Sequence, residues 1–182
     1  IIMTAEFPPG LILILGAILV PLLRGNIRSA YMLALPLIGI WQLTMLEPGM
    51  FGAMSIIGFE LNHVRVDKLS LIFGYIFYIA AALSIVFAWH SDDLVEQASA
   101  LVYVGAAIGA TFAGDLITLF IYWELTALAS VFIIWAGRTD RAYRAALRYL
   151  VIQILSGVLL AAGAMVRAAE TDSIAFDKIG LD

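Results

Sequence analysis

Charge is kept out of six long stretches of this chain. Residues 7–23, 30–46, 69–89, 98–114, 116–137 and 149–166 together hold one of the 24 charged side chains, Glu124, while the other 23 fall between or beyond them. Each stretch is about 17 to 22 residues long, enough for a helix rising ~1.5 Å per residue to cross ~30 Å of hydrocarbon. Backbone in lipid must satisfy its own N–H and C=O groups, so uninterrupted apolar stretches of this length form helices. The sequence predicts an all-α, polytopic membrane protein with six transmembrane helices, organised as a single membrane domain over residues 1–182. Its first partner is the lipid bilayer. At 63% hydrophobic and 13% charged residues, a water-soluble globule is excluded.

Several function classes drop out on composition. The formal charge is −4 and no basic run is long enough to follow a phosphate backbone, so nucleic acid is not an expected partner. There is no cysteine, which removes disulfides, thiolate metal sites, iron–sulfur clusters and cysteine nucleophiles together. His63 and His90 sit in separate connections with no second ligand one helical turn away, so no metal site is expected. No glycine-rich phosphate loop, GxSxG or HExxH occurs, and neither a cofactor site nor self-contained catalysis is predicted. The residues before the first span include Glu6 and no Lys or Arg, so we read that span as a mature helix and not a signal peptide.

Basic residues orient the bundle. Arg24 and Arg28 lie in the first connection, and Arg138, Arg141 and Arg144 in the fifth, with Arg148 at the edge of the sixth span. With six alternating helices these connections share a side, placed inside by the positive-inside rule, and both termini fall outside. The third connection, with Asp92, Asp93 and Glu96, is then also inside, which the rule tolerates because acidic residues count for little. Between Pro48 and Lys68 the chain is too polar and too short to span, and Phe59, Leu61, Val64 and Val66 suggest brief extended pieces bent at Gly58, a small outer hairpin. The polar tail from Ala168 to Asp182 reads as an outer loop or frayed end.

Glu124 is the residue that asks for a function. It lies nine residues from Asp115, ~13.5 Å along the axis, and ~21 Å from Arg138, so it sits near mid-membrane. An ionised carboxylate there costs at least a few kcal/mol unless it is protonated, paired with a cation or turned to a hydrated cavity. A cation moving nearer or farther would make it release or bind a proton, which is the chemistry of a relay. The structural alternative is a carboxyl group that only pins two helices together. Partners must come from other helices. On the sixth span Gln153, Ser156 and Gly157 share a face at i, i+3, i+4. Gln153 and Ser156 suit either a water path or interhelical hydrogen bonds, and Arg148 either pairs with a carboxylate or snorkels to the interface. Gly105 and Gly109 form a GxxxG pair suited to close helix packing.

The segment GDLITLFIYWELTALASVFIIWAGR, from Gly114 to Arg138, resembles the fifth-helix motif of the antiporter-like membrane subunits. That family comprises the large subunits of Mrp-type multisubunit sodium/proton antiporters, with the D-type member among them, and the proton-pumping membrane subunits of respiratory NADH:quinone oxidoreductase (complex I). VDKLSLIF from Val66 to Phe73 and AALRYLVIQILSG from Ala145 to Gly157 resemble its third-helix entry and its sixth helix, with Trp123 and Glu124 the most specific pair. The resemblance implies a cation/proton antiporter subunit in the bacterial cytoplasmic membrane, handling protons and sodium beside other membrane subunits, with Glu124 its key carboxylate. The alternative within the family is a proton-pumping subunit of an NADH:quinone oxidoreductase, an enzyme only as part of that translocase; outside it stands a non-transporting scaffold. Family members pair this glutamate with a lysine on a seventh helix, so the chain reads as an N-terminal part of a longer subunit, or as one completed by another chain.

Overall fold

The computed structural model describes residues 7–56, 59–171 and 174. Six α-helices run through it in chain order: α1 Leu11–Ala17, α2 Gly25–Thr44, α3 Lys68–Phe87, α4 Leu94–Thr111, α5 Leu116–Trp135 and α6 Asp140–Thr171, with a 3-10 turn at Val20–Leu22 and a two-stranded sheet, β1 Gly49–Ile56 and β2 Phe59–Val66, between α2 and α3. It is an all-α membrane architecture with a minor hairpin. Helix falls within each expected span, and among the described residues four helices, α3 to α6, are both long and apolar enough to cross a membrane.

The first span is not one helix. α1 stops at Ala17 and a 3-10 turn containing Pro21 follows. Proline's ring collides with the carbonyl four residues back, here that of Ala17, and it offers no N–H, which favours a break here. α2 has the length to cross, but Asn26, Arg28 and Gln42 dilute its hydropathy. It also starts earlier than the expected residue 30, taking Arg28 out of the connection and into a helix, where it is 6% exposed.

Caps set the other boundaries. Asp67 accepts the Ser70 N–H at 2.7 Å while its own N–H donates to Ser70 Oγ at 2.8 Å, a reciprocal capping box opening α3. Asp93 accepts the N–H groups of Val95 and Glu96 at 3.0 and 3.3 Å, starting α4 four residues before the expected 98. The largest departure is α6, a helix of 32 residues where 149–166 was expected. Arg141, Arg144 and Arg148 therefore ride on its opening turns, and Ala168–Thr171 of the expected tail are helical. Residues 140–148 contain no glycine or proline to stop a helix once Asp140 begins it.

α4 is the central helix, packed by α1, α3 and α5, whereas α6 packs chiefly on α5. The core beneath α4 gathers Leu13, Val20, Leu43, Tyr78, Leu101, Ile108 and Phe112. Alternation puts the first, third and fifth connections on one face, where Arg28 at the start of α2 pairs with Asp92 at 2.8 Å and Arg138 after α5 pairs with Asp93 at 2.8 Å. The opposite face carries the hairpin, whose register pairs Gly49 with Val66 and Phe51 with Val64. The hairpin is fastened where the Arg65 N–H donates to the Phe112 carbonyl at 2.7 Å. The proposed bend at Gly58, Glu6, and the tail beyond Ile174 lie outside the described residues.

Candidate functional site: a carboxylate at a helix seam

Glu124 is the ninth residue of α5, a helix opened by Asp115 and closed at Trp135. The start of that helix is unusually firm. Asp115 is fully buried, its Oδ1 accepts the Thr118 N–H at 2.7 Å and its Oδ2 the Thr118 hydroxyl at 2.8 Å. The Leu116 N–H donates to the carbonyl of Ile174 at 3.0 Å, so the chain leaving α6 returns to cover the same helix end. A cap of this kind satisfies donors that the first turn leaves open and fixes both the rotation and the depth of everything after it.

That rotation turns Glu124 toward α6. Its carboxyl group lies against the bare α-carbon of Gly157: a methyl placed on that glycine would collide with Glu124 Oε1 and lie 2.7 Å from its Cδ. Gly157 is buried, and the flanking Gln153 and Ser156 on the same face are half-buried. Glu124 Oε1 is shut away from solvent and has no hydrogen-bond partner among the described residues. A buried carboxylate oxygen with no donor is costly unless a proton, a water or a cation meets it. This is the feature of the seam with the clearest chemical demand.

The other residues singled out from the sequence are spread more widely. Arg148 is exposed on the opening turns of α6, nine residues and ~13.5 Å along the axis from Gly157, so it does not reach Glu124. Among the described residues no lysine or arginine forms an ion pair with Glu124. Gly105 and Gly109 face different neighbours. Gly105 lies against the Gly10 carbonyl and the side chains of Leu13 and Ile14, whereas Gly109 lies under the ring of Tyr122 on α5. His63 on β2 and His90 after α3 fall at opposite ends of α3, so they do not form a pair for a metal.

Sequence reasoning passed over two residues. Gly157 entered only as part of a small polar face, although a glycine one turn from Gln153 and next to Ser156 is the signal that something bulky sits opposite. Arg28 entered only as a topology marker. It is a nearly buried cation, with Nε lacking a partner among the described residues and one guanidinium nitrogen donating to Asp92. On the same face, the Glu96 and Val95 N–H groups and the Arg138 guanidinium hold the Asp93 carboxyl below the usual carboxylate range.

Residues 113–182, which contain α5, Glu124, α6 and Gly157, match the model of the NADH:quinone oxidoreductase/Mrp antiporter transmembrane family. No curated protein matches the chain. Among solved structures, a chain of the membrane-bound sulfane sulfur reductase, an archaeal respiratory membrane complex, shares the fold with a TM-score of 0.79 and 24% identity. That match covers 92% of this chain and 28% of the other, so the sequence here spans little more than a quarter of the length of the chain it resembles.

Proposed function

We propose that the chain, whose residues 113–182 match the NADH:quinone oxidoreductase/Mrp antiporter membrane family, forms part of a monovalent cation/proton antiporter subunit in which Glu124 binds and releases the translocated proton. Among the described residues, four helices long and apolar enough to cross a membrane, and the family match over residues 113–182, support its place as a multi-pass membrane subunit of that superfamily. The antiporter role, sodium as the exchanged cation, the neighbouring membrane subunits and the bacterial cytoplasmic membrane as its location belong to the proposal. One observation carries it: a carboxyl group midway along a membrane-spanning helix, its Oε1 enclosed at the seam with α6 and given no hydrogen-bond donor among the described residues.

The chemistry follows from that enclosure. A carboxylate with little water around it binds or releases a proton according to how near a positive charge stands. No described cation pairs with Glu124, so the group that toggles it comes from outside these residues, in the same subunit or in an adjacent one. Gln153 and Ser156 share the α6 face that carries Gly157, and in this reading they order water between Glu124 and the membrane surface.

The test is Glu124→Gln in the complete complex, which keeps the side chain's size and removes its proton. Exchange driven by an imposed pH gradient should fall by about a hundredfold, the lower range for removing a positioned proton-transfer group. Wild-type exchange at every pH would defeat the relay and leave the non-transporting scaffold. The second reading, a proton-pumping subunit of a respiratory complex, is favoured by the fold shared with a chain of such a complex. It predicts proton movement coupled to electron transfer and no sodium-dependent exchange.

A further inference from the structure

We propose that Gly157 is the positioning residue for Glu124, its missing side chain being the seat that holds the carboxyl group at the seam between α5 and α6. The inference rests on Glu124 being the proton carrier, and it adds what fixes that carrier in place. α5 and α6 meet where one contributes a long acidic side chain and the other no side chain at all. The position a methyl on Gly157 would occupy is taken by the carboxyl group: it would overlap Oε1, lie 2.7 Å from Cδ and 3.3 Å from Oε2. Real Cβ atoms do not approach heavy atoms that closely, so an alanine must displace the Glu124 head group or push the two helices apart.

The same helix provides its own control. At Gly163, six residues further along α6, an added methyl meets nothing within 4 Å. Glycine to alanine at either position gives α6 the same gain in helix propensity, so a difference between the two variants reports the seat and not the helix. A second control uses the length of the acid. Aspartate is one carbon–carbon bond shorter than glutamate, about 1.5 Å, which withdraws the carboxyl group by roughly the room that a methyl on residue 157 needs.

The experiment measures proton-coupled exchange in the complete complex for Gly157→Ala, Gly163→Ala, Glu124→Asp and the double variant Glu124→Asp/Gly157→Ala, beside Glu124→Gln. We expect Gly163→Ala to match the wild type. Gly157→Ala should lose about a hundredfold, the scale set by an ångström of misplacement at a reacting group. Glu124→Asp should be impaired alone, and the double variant should exchange faster than either single one. A wild-type rate for Gly157→Ala beside an inactive Glu124→Gln overturns the seat and leaves the relay standing. An unaffected Glu124→Gln removes the relay and the seat with it. A double variant no faster than its parents assigns Gly157 to plain helix packing and overturns the proposal. Should Gly157→Ala fail to assemble, the double variant decides: assembly with exchange supports the seat, and failure overturns it.

Discussion

Arg28 and Asp92 make a lopsided pair, with the arginine side chain 7% exposed and the aspartate 91%. Nearly all the desolvation falls on the cation, and most of the attraction is screened on the anion's side. The two partners should therefore not be equivalent on mutation. Asp92→Asn leaves a charged, nearly buried guanidinium with a weaker acceptor and should cost about 1–3 kcal/mol. Arg28→Met removes the charge and keeps most of the volume, and should cost less, because replacing a buried ion by a well-packed apolar side chain is often close to neutral. Thermal unfolding of the two variants in detergent checks the order, and a more damaging Arg28→Met would refute it. At this scale the sequence made Glu124 conspicuous, since a lone carboxylate in a charge-free stretch is visible without a structure. Its contact with Gly157 was not legible. Which residue of α6 faces Glu124 depends on the rotation of two helices about their axes, and that is settled by packing and by the Asp115 cap.

Helices and hydrocarbon are different rulers, and the charge pattern measures the second. α4 begins at Leu94 although Glu96 and Gln97 are polar, because Asp93 caps it, and α6 begins at Asp140 although Arg141, Arg144 and Arg148 follow. Each helix continues past the edge of the lipid into the headgroup region, where charge is tolerated and the backbone still prefers its own hydrogen bonds. The reverse error occurs in the first span, apolar throughout yet broken by Pro21. The hairpin was legible as brief extended pieces in a stretch too polar to span, and its two strands pair with Phe51 opposite Val64. The cap at Asp115 gives the prediction proper to this scale. Asp115→Ala removes both acceptors of Thr118 at a fully buried site and should destabilise the protein by about 1–2 kcal/mol, the range for losing a helix N-cap. Asp115→Asn keeps one acceptor and should cost less. Amide exchange concentrated at residues 116–119 in Asp115→Ala would locate the loss, and protection there equal to the wild type would contradict the assignment.

At the scale of the molecule the two faces differ in chemistry. One carries Arg28–Asp92 and Arg138–Asp93, which tie the start of α2 and the end of α5 to the same α3–α4 connection through the consecutive Asp92 and Asp93. The other carries the hairpin, the α4–α5 turn at Gly114 tucked against the Asn62 carbonyl, and the returning chain at Ile174. Outward on α6, Val151, Ile152, Leu155, Val158 and Leu159 are exposed, an apolar flank suited to lipid or to further membrane helices. Arginines Arg24, Arg28, Arg138, Arg141 and Arg144 all belong to the first face, so the positive-inside rule predicts a cytoplasmic side for that face and an outer side for the hairpin. The absence of native cysteine makes this orientation directly measurable. His90 and Glu47 are both exposed, the first on the arginine face and the second beside the hairpin. In intact cells a membrane-impermeant maleimide should label Glu47→Cys and leave His90→Cys unmodified, while inside-out vesicles should give the opposite pattern. Labelling of both variants from one side would mean that α3 does not cross the membrane. The reversed pattern would keep the fold and require that the arginine face look outward against its charge.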